Sequence, residues 1–306
     1  MTDRPRLLLD CDPGGDDAFA IILALRHAEV LGITTVAGNV GLEHTTANAL
    51  RLRDLLGVDV PVHAGADHPL VGPHIDAVEV HGGDGFGGCG LPAPSGPPDS
   101  ADAIGFLIET IRANEGLWLV VTGPMTNAAV AIRAAPDLPD RLAGISFMGG
   151  SCGGGNATAA AEFNILADPE AAAAVMGCGV PLRMAGLDLT AQLPTDDDRL
   201  AEIEAIDTPV ARSAAGLLRG FLDRIVELGA ARVGHLHDSC AVLAVTHPEL
   251  FTFDHLPVTV ELAGTHTRGM TVVDQRPPLM TEPPNVHVGR TLDGEEAWRL
   301  TVDSLR

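Results

Sequence analysis

"LLLDCDPGGDDAFAI", residues 7–21, reads as a strand, a turn and a helix in succession. Leu7, Leu8 and Leu9 form a short apolar run of the kind found in a strand buried on both faces. Pro13, Gly14 and Gly15 break that run with a tight turn. Ala18 to Ile21 start a helical pattern behind an acidic first turn. The same stretch crowds together Asp10, Asp12, Asp16 and Asp17. Two carboxylates about 5 Å apart repel by roughly 3 kcal/mol at an effective dielectric of about 20. Something has to offset that repulsion.

The strand-then-helix rhythm continues outward. Apolar runs at 6–11, 30–37, 117–122, 142–148 and 181–186 are short and bounded by Gly, Pro or Asp. Helical patterns lie at 16–27, 43–56, 100–114, 125–134 and 167–177. This alternation predicts an α/β fold with a mostly parallel central sheet flanked by helices. The segment 64–99 breaks the rhythm; it is rich in Gly, Pro and His and reads as a long functional loop. Residues 194–250 read as helical, 256–290 as short strands and turns, and 293–305 as a final helix. No stretch has linker composition and no internal repeat is present, so residues 1–306 are read as one domain.

The chain has 306 residues, a net charge of −22 and 46% hydrophobic residues. Its 19 basic residues are all arginine, which excludes chemistry that needs a lysine. Tyrosine is absent, so it cannot serve as an acid. The acidity argues against nucleic acid and anionic membranes as partners. No apolar run reaches the length of a membrane span, and "MTDRPRLLLD" is too short of apolar residues for a leader, so a cytoplasmic location is expected. Five cysteines without C-x-x-C spacing predict reduced thiols, not a disulfide framework or a zinc site.

In an open parallel sheet, ligands bind beyond the carboxyl ends of the strands. "DCDPGGDD", "AGN", "TGPMTN" and "MGGSCGGGN" all follow candidate strands and so converge on one crevice. Helix capping accounts for Asp16 and Asp17 but leaves Asp10 and Asp12 unexplained. A hard divalent cation, which takes carboxylate and carbonyl oxygens, accounts for the whole set. In "HLHDSC", 235–240, Asp238 either caps a helix starting near Ser239 or joins the acidic set, with His237 facing a substrate. "HGGDGFGG", 81–88, matches a dinucleotide fingerprint only formally and reads as a flexible loop over a site, with His81 in it. In "AEFNILADPE", 161–170, an extended backbone would put Glu162 and Asn164 on one side, suited to sugar hydroxyls; a turn ahead of a helix is the alternative.

Taken together, these motifs resemble the nucleoside hydrolase family, the inosine–uridine-preferring N-ribohydrolases. "DCDPGGDDAFAI" matches the family's opening D-x-D-P-G-x-D-D signature. "ITTVAGN", "TGPMTN", "FMGG", "AEFNILADPEAA" and "HDSC" recur in the family's order. The resemblance implies a Rossmann-like nucleoside hydrolase fold, Ca2+ as cofactor, a nucleoside as substrate, and a homo-oligomer, a dimer or tetramer. It implies that Asp12 is the general base, and that Asp12, Asp17, the carbonyl of Thr122 and Asp238 hold the ion. It places Asp16, Asn39, Asn156, Glu162 and Asn164 on the ribose, with Met148 packing near the sugar and Asp10 supporting from behind. It sets His237 near the leaving base as a catalytic group, and His81 near the site.

On that reading Ca2+ activates a water, Asp12 takes its proton, and the sugar passes through a ribosyl cation-like transition state without a covalent enzyme intermediate. Relatives choose their base with Tyr, Gln or Arg from the helix near 215–230; here Arg224 is expected to do so, with Phe221 and Arg219 behind it. Purine against pyrimidine stays open. Two other readings compete: an aspartate-dependent phosphohydrolase, which usually needs a lysine, and a non-catalytic nucleoside or sugar binder.

Overall fold

A computed structural model describes residues 4–306. The first three residues of the stretch read above for a leader lie outside the described residues. The strands are β1 (Arg6–Cys11), β2 (Glu29–Thr35), β3 (Val62–Ala64), β4 (Trp118–Val121), β5 (Gly144–Met148), β6 (Leu182–Ala185), β7 (Pro194–Thr195), β8 (Gly234–His235), β9 (Phe251–Leu256), β10 (Val258–Val260), β11 (Thr271–Val273) and β12 (Val286–Leu292). The helices are α1 (Gly15–His27), α2 (Leu42–Leu56), α3 (Val78–His81), α4 (Ala103–Ala113), α5 (Thr126–Ala134), α6 (Phe163–Ala167), α7 (Pro169–Met176), α8 (Leu187–Thr190), α9 (Asp197–Glu204), α10 (Pro209–Glu227), α11 (His237–Thr246) and α12 (Gly294–Ser304).

Eight strands form one sheet in the order β3-β2-β1-β4-β5-β6-β12-β9. Every pairing in it is parallel except β12 with β9. The leucine run of β1 shows why the strand is apolar throughout. Leu7, Leu9 and Cys11 enter the core layer that contains α1, α2, α10, α11 and α12. Leu8 points the other way, into the layer of α4, α5 and α7. A strand sandwiched between two helical layers has no wet face, so alternation disappears. The chain therefore forms a single α/β domain with a mostly parallel sheet, as the alternating pattern predicts.

All five predicted strands and all five predicted helices of residues 6–186 are present, with ends moved by a few residues. Within residues 6–186 three elements escaped the sequence reading; beyond them α8 did too, and the 194–250 segment read as helical also holds the paired two-residue strands β7 and β8. β3 is only three residues long, too short for a periodicity. α3 is a single turn inside the 64–99 loop. α6 occupies the segment for which the sequence leaves an extended backbone and a turn ahead of a helix both open, and the turn is what forms. Among the described residues no helix is long and apolar enough to cross a membrane.

Candidate active site

The turn after β1 folds its aspartates inward. Asp10, Asp12 and Asp17 are fully buried, and Asp16 is 6% exposed. Asp17 does cap its helix: Oδ2 accepts the Gly14 N–H at 2.9 Å. Its other oxygen accepts the Thr122 hydroxyl at 2.8 Å, just beyond β4. Capping and convergence are thus the same arrangement for this residue, not rival ones. Asn39, after β2, donates its N–H to Asp12 Oδ2 at 2.6 Å. The Asn39 amide also donates to the Asp12 carbonyl at 3.1 Å and to Asp17 Oδ2 at 3.2 Å. Asp10 stands behind, accepting from Thr34 Oγ1 at 2.7 Å and Asn127 Nδ2 at 2.8 Å.

Asp238 arrives from the far side of the sheet's crevice. α11 begins at His237 with Leu236 at its N-cap, so Asp238 lies in the first turn and does not cap a helix at Ser239. α1 packs against α11, which brings the two helix N-termini together. Ligand oxygens of Asp16, Asp17 and Asp238 lie within 4.8 Å of one another. Two helix N-termini aimed at one anionic cluster offset part of its repulsion.

They do not offset all of it. Burial, and then the charge of Asp17, push the Asp12 carboxyl well above its ordinary range. Burial and the neighbouring aspartates do the same to Asp238. Burial and the charge of Asp16 raise Asp17 to about 7, against the bonds from Gly14 and Thr122. Burial lifts Asp10 to about 6. Asp12 Oδ1 is buried with no hydrogen-bond partner, and so is Asp10 Oδ2. Gly38 and Gly123 crowd the Asp12 carboxylate: a Cβ at either would come within 2.0 Å of Oδ2 or 2.7 Å of Oδ1. This set is a rigid, oxygen-only, uncompensated negative cage. It fits a hard divalent cation, which would supply the missing positive charge and a partner for Asp12 Oδ1.

A cavity of about 510 Å³ opens above the cage. Of the residues expected there, Asp16, Asn39, His81, Thr122, Met148, Asn156, Glu162, Asn164, His237 and Asp238 line it. Asn164 Nδ2 donates to the carbonyls of Thr122, at 2.8 Å, and Met148, at 3.2 Å. Glu162 accepts N–H groups of Gly150, Asn164 and Ile165 at 2.9, 2.9 and 3.1 Å. Glu162 and Asn164 share the wall, but not through an extended backbone. Glu162 is the N-cap of α6 and Asn164 sits in its first turn. The chain turns there because the Glu162 carboxylate satisfies the helix's own N–H groups. Asn156 Oδ1 accepts the Phe163 N–H at 3.0 Å.

At the other end of the cavity, the His81 ring stacks on Phe221 with centroids 6.0 Å apart, and His81 Nδ1 accepts the Gly15 N–H at 3.3 Å. Burial lowers His81, and lowers His237 to about 4, so both rings are neutral donors and acceptors near pH 7.

Arg224 does not line this cavity. Its Nε donates to the Glu79 carbonyl at 2.6 Å and its guanidinium pairs with Glu227 at 2.6 Å. Phe221, one helical turn earlier on α10, takes the place expected of it. The segment Ile75–His81 supplies a whole wall that sequence reasoning left as undefined loop. A one-turn helix carries no period long enough to detect; only the Gly-, Pro- and His-rich composition marked the region.

A family model, described as inosine-uridine preferring nucleoside hydrolase, matches residues 7–299. A pyrimidine-specific ribonucleoside hydrolase of Shewanella woodyi is 44% identical over 278 residues, covering 89% of this chain and 88% of that protein. One from Escherichia coli O9:H4 is 43% identical, with 98% of both chains covered. Among solved structures, a plant nucleoside hydrolase superposes with a TM-score of 0.92 at 29% identity, covering 99% of each chain. A purine-preferring ribonucleoside hydrolase from Gardnerella vaginalis gives 0.91 at 30%, covering 98% of each. The signature turn, the ordered motifs, the acidic cage and these likenesses agree: the chain belongs to the inosine–uridine-preferring nucleoside hydrolases and hydrolyses the N-glycosyl bond of ribonucleosides.

Proposed function

We propose that this hydrolase acts on pyrimidine ribonucleosides, with Ca2+ held by Asp12, Asp17, Asp238 and the main-chain carbonyl of Thr122. The observation that carries the metal reading is the buried acidic cage, in which Asp16, Asp17 and Asp238 bring oxygens together and the buried Asp12 Oδ1 has no hydrogen-bond partner. When bound, the ion supplies the positive charge that keeps these carboxylates ionised and an oxygen-seeking centre for water and sugar hydroxyls.

The chain's own residues account for the rest. Asp12, ionised and held by the Asn39 N–H, takes a proton from the attacking water. Asp16, Asn39, Asn156, Glu162 and Asn164 bind the ribose, and Met148 packs beside it. The water oxygen joins the anomeric carbon as the C–N bond breaks, and the bonding pair leaves with the base. His237 serves the departing base as a hydrogen-bond donor, with His81 and Phe221 around its ring. Asp12 is committed to the water, so the water displaces the base directly.

The pyrimidine preference rests on two supports. The relatives named pyrimidine-specific are 42–44% identical, against about 30% for the purine-preferring structure. The cavity is also lined by two phenyl rings, Phe163 and Phe221, and by no indole. Trp118 and Trp298 are engaged elsewhere, with Arg183 and Arg199. We include in the proposal a cytoplasmic homo-oligomer, on the family resemblance alone.

A nucleoside panel, with and without chelator, tests this by following free ribose. Uridine and cytidine should be cleaved faster than inosine, and only with calcium present. Activity that survives exhaustive chelation would remove the ion, and faster inosine cleavage would remove the preference.

A further inference from the structure

His237 lines the cavity; its Nδ1 has a partner within the protein, and its Nε2 has none and is not sealed from solvent. Nδ1 lies 2.7 Å from the hydroxyl of Thr190, at the end of α8. Thr190 is fully buried, at 0% exposure, so its hydroxyl proton must find an acceptor within the protein. Two acceptors are in range. The Leu187 carbonyl is 3.5 Å away and already takes the Ala191 N–H at 3.0 Å. Nδ1 of His237 is far closer. If the ring donated from Nδ1 instead, the buried hydroxyl proton would be left with the long contact alone. The hydroxyl therefore donates to Nδ1. A ring that accepts at Nδ1 is neutral and carries its proton on Nε2.

We propose that Thr190 is a positioning residue that holds His237 as its Nε2–H tautomer, so that the cavity presents a donor to the departing pyrimidine. This rests on the reading of His237 as the group beside the base. When the C–N bond breaks, the bonding pair moves onto the base's ring nitrogen and its neighbouring carbonyl oxygen. An N–H aimed there stabilises that charge, whereas the other tautomer would aim a lone pair at it. No proton need transfer for this to work. The residue acts through the orientation of another ring, and the hydroxyl itself touches no substrate in this scheme.

The test pairs two variants with two substrates. Thr190→Val keeps the side chain's shape and loses the hydroxyl; Thr190→Ser keeps the hydroxyl. Uridine needs help for its leaving group, and 4-nitrophenyl β-D-ribofuranoside does not, because nitrophenolate is stable unaided. Thr190→Val should lower kcat on uridine by about tenfold or more while changing the nitrophenyl riboside by less than about threefold, and Thr190→Ser should restore uridine. Nitrogen-15 spectra of histidine-labelled enzyme should show His237 protonated on Nε2 in the wild type and a mixture of tautomers in Thr190→Val. Equal losses on both substrates, no loss on uridine, or a wild-type ring protonated on Nδ1 would each overturn the proposal. Wild-type enzyme that cleaves the nitrophenyl riboside but no pyrimidine nucleoside would instead sink the reading of the base, and this proposal with it.

Discussion

Asp12 keeps one oxygen for the Asn39 N–H and one with no partner in the protein. Its substitution by Asn preserves the shape and the contact with Asn39 but removes the proton acceptor. Asp12→Asn should lower kcat by about 10²–10⁴-fold with a smaller change in KM, measured by ribose release. Near-normal turnover would exclude Asp12 as the base. Glu162 gives a pH prediction. Burial raises it to about 6, in opposition to its backbone N–H bonds. It accepts ribose hydroxyls best when ionised, so KM should rise as pH falls through about 6 in the wild type. In Glu162→Gln that dependence should weaken, leaving only the share set by protonation of the aspartate cage; a wild-type KM flat from pH 7 to 5 would contradict the assignment. The four aspartates of residues 10–17 were legible because they are neighbours in one turn. Arg224 was not. It lies one turn from Phe221 on the same helix, so spacing could not say which of them reaches the cavity. The long guanidinium finds the Glu79 carbonyl, and the phenyl ring lines the site.

That contact matters for the elements it joins. α3 carries His81 and is a single turn, too short to be stable alone. It is held by Arg224 of α10, by the His81–Phe221 stack and by the Gly15 N–H at the start of α1. Arg224→Ala should loosen this wall and raise KM about fivefold, on the order of 1 kcal/mol for one charge-assisted bond at an exposed position, with kcat less affected. Steady-state kinetics check it; an unchanged KM would mean the other two contacts suffice. The sheet's strands were legible because each is an apolar run between turn residues. α6 was not, because its helix start depends on Glu162 bonding back to its own N–H groups. That choice between turn and extended chain is made by a side chain, not by periodicity.

For the whole molecule, the acidic cage is a store of unfavourable charge that a cation would relieve. Asp17 sits near 7 without one, above the ordinary carboxylate value of about 3.9, so the folded state binds more protons than the unfolded chain between those values. Stability of the metal-free protein should therefore fall as pH rises from about 4 to about 7. A fixed calcium concentration, about a hundred times its Kd at pH 8, should raise Tm by about 5 °C at pH 8 and by less at pH 5, where protons compete for the cage and weaken binding. Thermal melts with chelator and with calcium at both pH values check this, and equal shifts at both would contradict it. The primary sequence alone specified the strand–turn–helix units, their alternation and the acidic turn, because these depend on residues within a few positions of each other. It also carried the family signature. Folding supplied the strand order and the antiparallel β9. It also brought Asp238 against Asp16 and Asp17 through the packing of α1 on α11, and it built the Ile75–His81 wall and the Thr190–His237 bond. These depend on which buried faces pack together across distant parts of the chain, and no local period encodes that.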